Sequence, residues 1–392
     1  MRRGSSVQQA KTSVVRPKTS ARLPFIDFAR GVVMVLMAWD HVSGFWNRYH
    51  HGGEGILGRR PPFVNLTWFL ARFVSHYCAP TFIFLAGTAL ALSTAKRLGR
   101  GESQGRITLR MIKRGLVLLL LEALVVAPAF DLPPTYFGVI ACIGVCFIIF
   151  SIYRRLPPIV ILILSLVIVL NHPFLDLSFI PRDTWWGWYL RVIIHEPNFD
   201  WWPYVGLYPI IPWIGVMGLG WCFGVYLSRR DPEQIRALKV PLLAAGGASY
   251  LLWFVVRWLN GYGNLLPRRG WGDPIIDWLY VSKYPPSLAF LLWTLGGMSL
   301  FLALGLYLQD RRGFNRGITG VILTFGRTPL FFYITHLWLY RVRLPGVARP
   351  RFSLPLFPTL AFWLVGLFIL WQLCLRYERL KRRHPNSILQ YI

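Results

Sequence analysis

Acidic residues are scarce in this chain of 392: 16 Asp and Glu stand against 43 Lys and Arg, and charged residues together make up only 15%. That is too little charge to solvate a soluble protein of this size in which 55% of residues are hydrophobic and 16% aromatic. Cysteine is sparse as well. The five, an odd number, fall at 78, 142, 146, 222 and 374, inside or at the ends of apolar runs. Cys142 and Cys146 share a helix face but belong to no ligand pattern, so neither a disulfide framework nor a zinc site is expected, and small apolar core residues are the reading. Gly-rich phosphate-binding signatures, metal-ligand spacings among the histidines and repeats of about 20 to 50 residues are all missing. No metal is therefore expected.

The net charge of +27 does not point to nucleic acid, because the basic residues form no stripe interleaved with stacking aromatics. They punctuate apolar runs instead, as in "KRLGRGESQGRITLRMIKR", "SRRDPEQIR", "QDRRGFNR" and "YERLKRRHP". Gathering at alternate connections is the positive-inside pattern.

What the chain has is hydrophobic length. Runs such as "LVLLLLEALVVAPAF", "IVILILSLVIVL" and "FPTLAFWLVGLFILW" approach the roughly 20 residues that cross a bilayer as a helix. The expectation is an all-α, polytopic transmembrane helix bundle of about ten spans, at 24–47, 67–95, 111–130, 135–152, 158–172, 205–228, 239–259, 284–308, 317–341 and 355–376, with both termini cytoplasmic. Residues 1–22 read as a disordered basic cytosolic tail and 379–392 as a second basic tail, with one membrane domain over 23–378. No cleavable signal peptide is expected, since the first apolar segment is long and lacks a small-residue cleavage pattern. The lipid bilayer is the first partner; a homo-oligomer is compatible with the Gly246-Gly247 and Gly296-Gly297 pairs, which permit close helix packing within one protomer or between two.

The informative residues are polar groups inside apolar runs, which face a cavity or a partner and mark function by default. In "FARGVVMVLMAWDH", Arg30 and His41 are eleven residues apart, about 20° from a whole number of turns and about 16 Å along the axis. They face the same way. Asp27 stands three residues before Arg30, placed to pair with it, and Asp40 precedes His41. In "ARFVSHYCAP", Arg72 and His76 share a face, and Pro80 is expected to bend the helix beside His76. "YPIIPW" with Trp213, "KYPPSLAF" with Tyr284 and "YITHLWLYR" with His336 supply further polar or kinked helix ends on the same outer side. Aromatics in "DTWWGWYL" and "PNFDWWPY" read as interface anchors. Outer basic residues, Arg59-Arg60, Arg268-Arg269 and Arg341, Arg343, Arg349 and Arg351, read as contacts to anionic headgroups or to an acidic acceptor.

Histidine suits proton removal near neutral pH. One such group near the outer leaflet, in line with an arginine at the inner leaflet, suits two reactants arriving from opposite sides. An acyl-CoA is the fitting donor, its phosphates meeting Arg30, Arg106, Arg110, Lys113 and Arg114.

Five blocks in order, "RLPFIDFARGVVMVLMAWDH", "HYCAPTFIFLAGTALALS", "IIPWIGVMGLGWCFG", "YPPSLAFLLWTLG" and "FFYITHLWLY", resemble the bacterial branch of the heparan-alpha-glucosaminide N-acetyltransferase catalytic-domain family. That family lies within the transmembrane acyltransferase group, whose first-span signature is an arginine, ten residues and a histidine, here Arg30 and His41. The resemblance implies transfer of acetyl from cytosolic acetyl-CoA to a sugar or glycan beyond the membrane, acidic and lipid-linked ones included, in a bacterial inner membrane. It implies His41 as general base or transient acyl carrier and Arg30 as the CoA anchor. Lysosomal members place their histidine just beyond the first span, near His50 and His51, which makes His51 the second candidate. His76 and His336 would support the reaction, with Arg72, Trp213 and Tyr284 toward the acceptor. The competing class is a transporter or glycan-handling membrane protein without covalent chemistry.

Overall fold

The computed structural model describes residues 22–200, 202–342, 354–384 and 387. Residues 1–21 of the expected N-terminal tail and Arg343, Arg349 and Arg351 lie outside that set. Sixteen helices follow one another: α1 (Pro24–Trp46), α2 (Leu66–Phe73), α3 (Cys78–Gly99), α4 (Gln104–Leu121), α5 (Ala127–Ala129), α6 (Val139–Tyr153), α7 (Pro158–Asn171) and α8 (Trp185–Ile194), then α9 (Ile210–Ser228), α10 (Pro232–Arg236), α11 (Lys239–Leu259), α12 (Pro274–Leu279), α13 (Leu288–Gln309), α14 (Gly317–Arg327), α15 (Pro329–Arg341) and α16 (Leu356–Arg383). Among the described residues β-pairing is limited to isolated bridges, such as Phe137 with Gly206.

Every one of the ten expected apolar runs is helical. Among the described residues five helices are long and apolar enough to cross a membrane, namely Leu66–Gly99 with its internal 3₁₀ link, Ile210–Ser228, Pro232–Leu259, Leu288–Gln309 and Leu356–Arg383, and the bent pair α14–α15 makes a sixth if taken as one span. Helix α1 is not among them; Asp27, Arg30, Asp40 and His41 lower its hydropathy, which sets it apart as a helix shielded by others.

Prolines set two departures from the expected helices. The run 317–341 is not one rod: α14 and α15 meet at 97°, because Pro329 lacks an N–H and pushes Thr328 out of helical geometry, to φ −125° and ψ 47°. In the second run the break lies at Val74–Tyr77, a 3₁₀ turn, rather than at Pro80. A proline ring clashes with the carbonyl four residues earlier, which here belongs to His76, so the distortion appears one turn ahead of the proline.

Helix α1 occupies the middle of the bundle, against α3, α13, α14, α15 and α16, while α3 lies along α9 and α11 along α13. Small residues allow the tightest of these approaches. A β-carbon on Gly326 of α14 would collide with the Asp27 carbonyl of α1, and one on Gly31 with the Ile322 carbonyl. This contact brings the end of α14 beside Arg30.

Candidate active site

A cavity of about 510 Å³ opens beside the C-terminal half of α1, lined among others by Asp40, His41, His50, Arg72, Lys283 and Tyr284. His41 Nδ1 lies 2.6 Å from His336 Nε2, and His336 Nδ1 lies 2.9 Å from the Phe332 carbonyl oxygen. A carbonyl can only accept, so the proton of His336 sits on Nδ1 and its Nε2 carries a lone pair. His41 must then donate from Nδ1. Its remaining nitrogen, Nε2, is left unprotonated as a basic lone pair, while the Phe130 ring stands edge-on 5.4 Å from the imidazole. The bend at Thr328 directs α15 so that His336 meets His41.

Beneath the pair runs a buried ionic network. Arg72 Nη1 is 2.5 Å from Asp40 Oδ1, and the same guanidinium forks onto Glu54, with Nε to Oε1 at 2.7 Å and Nη2 to Oε2 at 3.0 Å. Ser75 Oγ donates to Asp40 Oδ1 at 2.8 Å. Glu54 reaches inward from the loop after α1 because Gly53 and Gly55, at φ 88° and 96°, turn the backbone through left-handed geometry on either side of it. Burial by itself would raise the Glu54 carboxyl, yet the Arg72 guanidinium holds it well below the usual carboxylate range. His76 Nε2 stands 3.6 Å from Glu54 Oε1, too far for a hydrogen bond.

The two loop histidines separate. His50 lines the cavity, with Nδ1 3.2 Å from Ser43 Oγ and Nε2 4.0 Å from Asp40 Oδ1. Burial pushes its imidazole down to about 4 against the opposing pull of Asp40. His51 instead meets the edge of Phe63, at 6.1 Å. Trp213, fully buried, packs against Tyr208 at 5.7 Å behind the cavity wall.

A second cavity, about 250 Å³, lies beside the N-terminal half of α1 and is lined by Arg30, Arg114 and Lys381 among apolar residues. Phe82, Val139 and Tyr333 wall both cavities, so the two adjoin along the face of α1 that carries Arg30 and His41. Arg30 Nη1 is held by Asp27 Oδ1 at 3.3 Å and by the Gly326 carbonyl at 3.1 Å. Of the expected basic residues Arg30 and Arg114 line this space. Arg106 and Lys113 are exposed, and Arg110 is paired with Glu102 at 3.4 Å.

Four of the five described outer arginines are held by hydrogen bonds or ion pairs within the protein. Arg59 pairs with Asp200 at 2.6 Å, Arg60 with Asp277 at 3.5 Å and Arg341 with Asp131; Arg268 donates to the Arg257 carbonyl and covers Trp278. Sequence reasoning missed Glu54, Lys283 and Lys381. Each carried a faint signal: an acid between two glycines, a lysine directly before "YPPS", and a basic residue i+4 from Tyr377 on the last helix.

The central helix thus carries an arginine, ten residues and a histidine along two adjoining cavities, among helices of which five or six are long and apolar enough to cross a membrane. The sequence model of the family described as heparan-alpha-glucosaminide N-acetyltransferase, catalytic, matches residues 22–258, and the chain belongs to that family. It is also similar to the heparan-alpha-glucosaminide N-acetyltransferase of Mus musculus, 24% identical over 145 residues, 35% of this chain and 20% of the mouse protein. The chain thus spans about a fifth of that relative. The family match includes Arg30, His41, Glu54 and Arg72 and ends before Lys283, His336 and Lys381.

Proposed function

We propose that the chain is a membrane-bound acetyltransferase that moves an acetyl group from cytosolic acetyl-CoA to a sugar or glycan across the membrane, with His41 as general base. The observation that carries this reading is the pair of adjoining cavities, one with Arg30, Arg114 and Lys381, the other with the lone pair of His41 Nε2. The phosphates of CoA belong at the cationic end. The pantetheine arm runs past Phe82, Val139 and Tyr333, over a distance matching the roughly 16 Å rise between Arg30 and His41, and delivers the thioester to His41. The fold reading that goes with it has about ten spans, both termini cytoplasmic, and a membrane domain over 23–378 extended by the end of α16, where Lys381 lies.

In the reaction, His41 Nε2 removes the proton of an acceptor amine or hydroxyl as its lone pair attacks the thioester carbonyl carbon. The carbonyl π electrons move to oxygen. Collapse breaks the C–S bond, and the leaving CoA sulfur takes the proton back from His41. His336 holds the His41 tautomer, and Arg72 holds Asp40 and Glu54 beneath it. The cavity with Tyr284, Tyr208 and Tyr136 in its wall offers aromatic faces and hydroxyls to a sugar.

Turnover of labelled acetyl-CoA by purified protein in lipid nanodiscs, supplied with amino sugars and glycans, tests the assignment. Wild type is expected to release CoA and acetylated product, and His41→Ala to bind acetyl-CoA without turning it over. Absence of both binding and turnover in wild type, or turnover that survives His41→Ala, overturns it.

A further inference from the structure

Lys283 stands out among the groups that this chemistry leaves unused. It is 3% exposed, lines the His41 cavity and has neither an ion-pair partner nor a side-chain hydrogen bond among the described residues. The Tyr284 ring 5.2 Å from Nζ offers a π face but no lone pair that accepts the ammonium protons. Its backbone is fixed. The Lys283 and Tyr284 N–H groups both donate to the Glu54 carbonyl, at 3.0 and 3.1 Å, and Ser282 Oγ donates to the Pro285 carbonyl at 2.8 Å. A buried imidazole pair braces the same turn from behind: His172 Nε2 is 3.0 Å from the Pro286 carbonyl, and His172 Nδ1 is 3.0 Å from His195 Nε2. A lysine whose backbone is fixed thus stands in this cavity with no acceptor for its ammonium protons among the described residues.

The charges around it decide what it meets. Asp40 and Glu54 carry two negative charges, Arg72 and Lys283 two positive ones, and the Arg59–Asp200 pair at the rim is balanced in itself. The buried constellation is neutral at rest. An acceptor arriving with its own anionic group beside His41 would leave one uncompensated negative charge in a site of low polarity. Acyl transfer creates charge in a compensated way instead: His41 gains a proton as the thioester oxygen gains an electron pair, so neutrality holds throughout.

We propose that Lys283 is a catalytic residue that donates to the thioester oxygen as negative charge develops there, and that the acceptor presents a neutral amine or hydroxyl, with no adjoining acidic group, to this cavity. The assignment rests on the acetyltransferase reading. A donor that meets charge only as it develops acts on the transition state and not on ground-state binding. Removing one donor of this kind costs about 10²–10³-fold in kcat.

The test compares wild type, Lys283→Met and Lys283→Cys in nanodiscs, measuring kcat, KM for the acceptor and Kd for acetyl-CoA. Both variants are expected to lose about 10²–10³-fold in kcat, with KM and Kd changed by less than about twofold. Aminoethylation of the new thiol in Lys283→Cys rebuilds a lysine-like ammonium and is expected to restore most of the lost kcat in the same folded protein; this covers the case in which Lys283→Met does not fold. A raised acceptor KM at unchanged kcat, reversed by using an uncharged acceptor, assigns Lys283 to anchoring an anion and overturns the proposal. So does failure of aminoethylation to restore kcat. A wild type without turnover defeats the acetyltransferase reading and this one with it, whereas variants as fast as an active wild type defeat this one alone.

Discussion

Replacing His336 with phenylalanine isolates the contribution of the imidazole pair. The site accepts an apolar ring, because His336 is fully buried among Phe332, Tyr333 and Tyr340, whose centroids lie 5.3, 5.6 and 6.3 Å away. The change removes the acceptor 2.6 Å from His41 Nδ1, along with the His336 Nδ1–H donated to the Phe332 carbonyl. Leaving a buried donor without its partner costs about 1–3 kcal/mol, and that energy is what holds the ring with Nε2 unprotonated and turned into the cavity. Converted to populations, the competent arrangement falls by roughly 5- to 150-fold, and kcat should fall with it. Acetyl-CoA binding should not change, since Arg30, Arg114 and Lys381 line the other cavity. His336→Gln keeps a carbonyl oxygen able to accept from His41 and should stay within about tenfold of wild type. Steady-state kinetics in nanodiscs, with thermal melts as the folding control, measure both variants. A His336→Phe protein with wild-type kcat refutes the argument, as does one whose loss is confined to the KM for acetyl-CoA.

Removing Arg72 strands the Asp40 and Glu54 carboxylates together in a buried place, so Arg72→Met should lower stability by about 3–5 kcal/mol, and adding Glu54→Gln should recover part of that in a thermal melt. Arg30→Ala and Lys381→Ala should each weaken acetyl-CoA binding about 10- to 100-fold by calorimetry, the loss of a charged contact, while Lys113→Ala, at an exposed position outside the cavity, should leave it unchanged. His50, pushed down to about 4 by burial, is neutral when folded but titrates near 6.5 when unfolded. The unfolded chain therefore binds the extra proton first, and up to about 3 kcal/mol of stability is lost as pH falls from about 6.5 toward 4. His50→Gln should lessen the fall of the melting temperature over that range, with Glu54, held well below the usual carboxylate range, adding its own loss at still lower pH.

The helices were readable because hydrophobic length is a local property, and all ten apolar runs are helical. So was the shared face of Arg30 and His41, which follows from the helical repeat alone. The break at Thr328 lies next to Pro329, and the 3₁₀ turn one turn before Pro80; both obey rules of proline geometry that apolar-run reading smooths over. The rest of the site depends on partners far apart in the chain. Glu54 acquires its role from Arg72 eighteen residues on, and from a glycine-flanked turn whose direction no periodicity reports. Lys283 gains its position through hydrogen bonds to the Glu54 carbonyl, and the choice between His50 and His51 rests on how one loop folds back over Asp40.

The hydrogen-bond chain also distinguishes between two uses of His41. As a general base it takes a proton on Nε2 and returns it to sulfur, and nothing need leave through Nδ1. As an acyl carrier it would hold the acetyl group on Nε2 while still bearing the Nδ1 proton, a cationic acyl-imidazole that becomes neutral only by giving that proton up. His336 cannot take it without itself becoming a buried cation, because its own proton is committed to the Phe332 carbonyl, and the charges of Asp40, Glu54, Arg72 and Lys283 beside it are already balanced. On the proposed function, the carrier route is therefore expected to stall where direct transfer proceeds. Rapid-quench mixing of labelled acetyl-CoA with the enzyme, acceptor omitted, should release far less than one CoA per site and leave no label on the protein. A stoichiometric burst of CoA, with the acetyl label retained in wild type and absent in His41→Ala, would show that the proton does find a way out and that His41 carries the acetyl group.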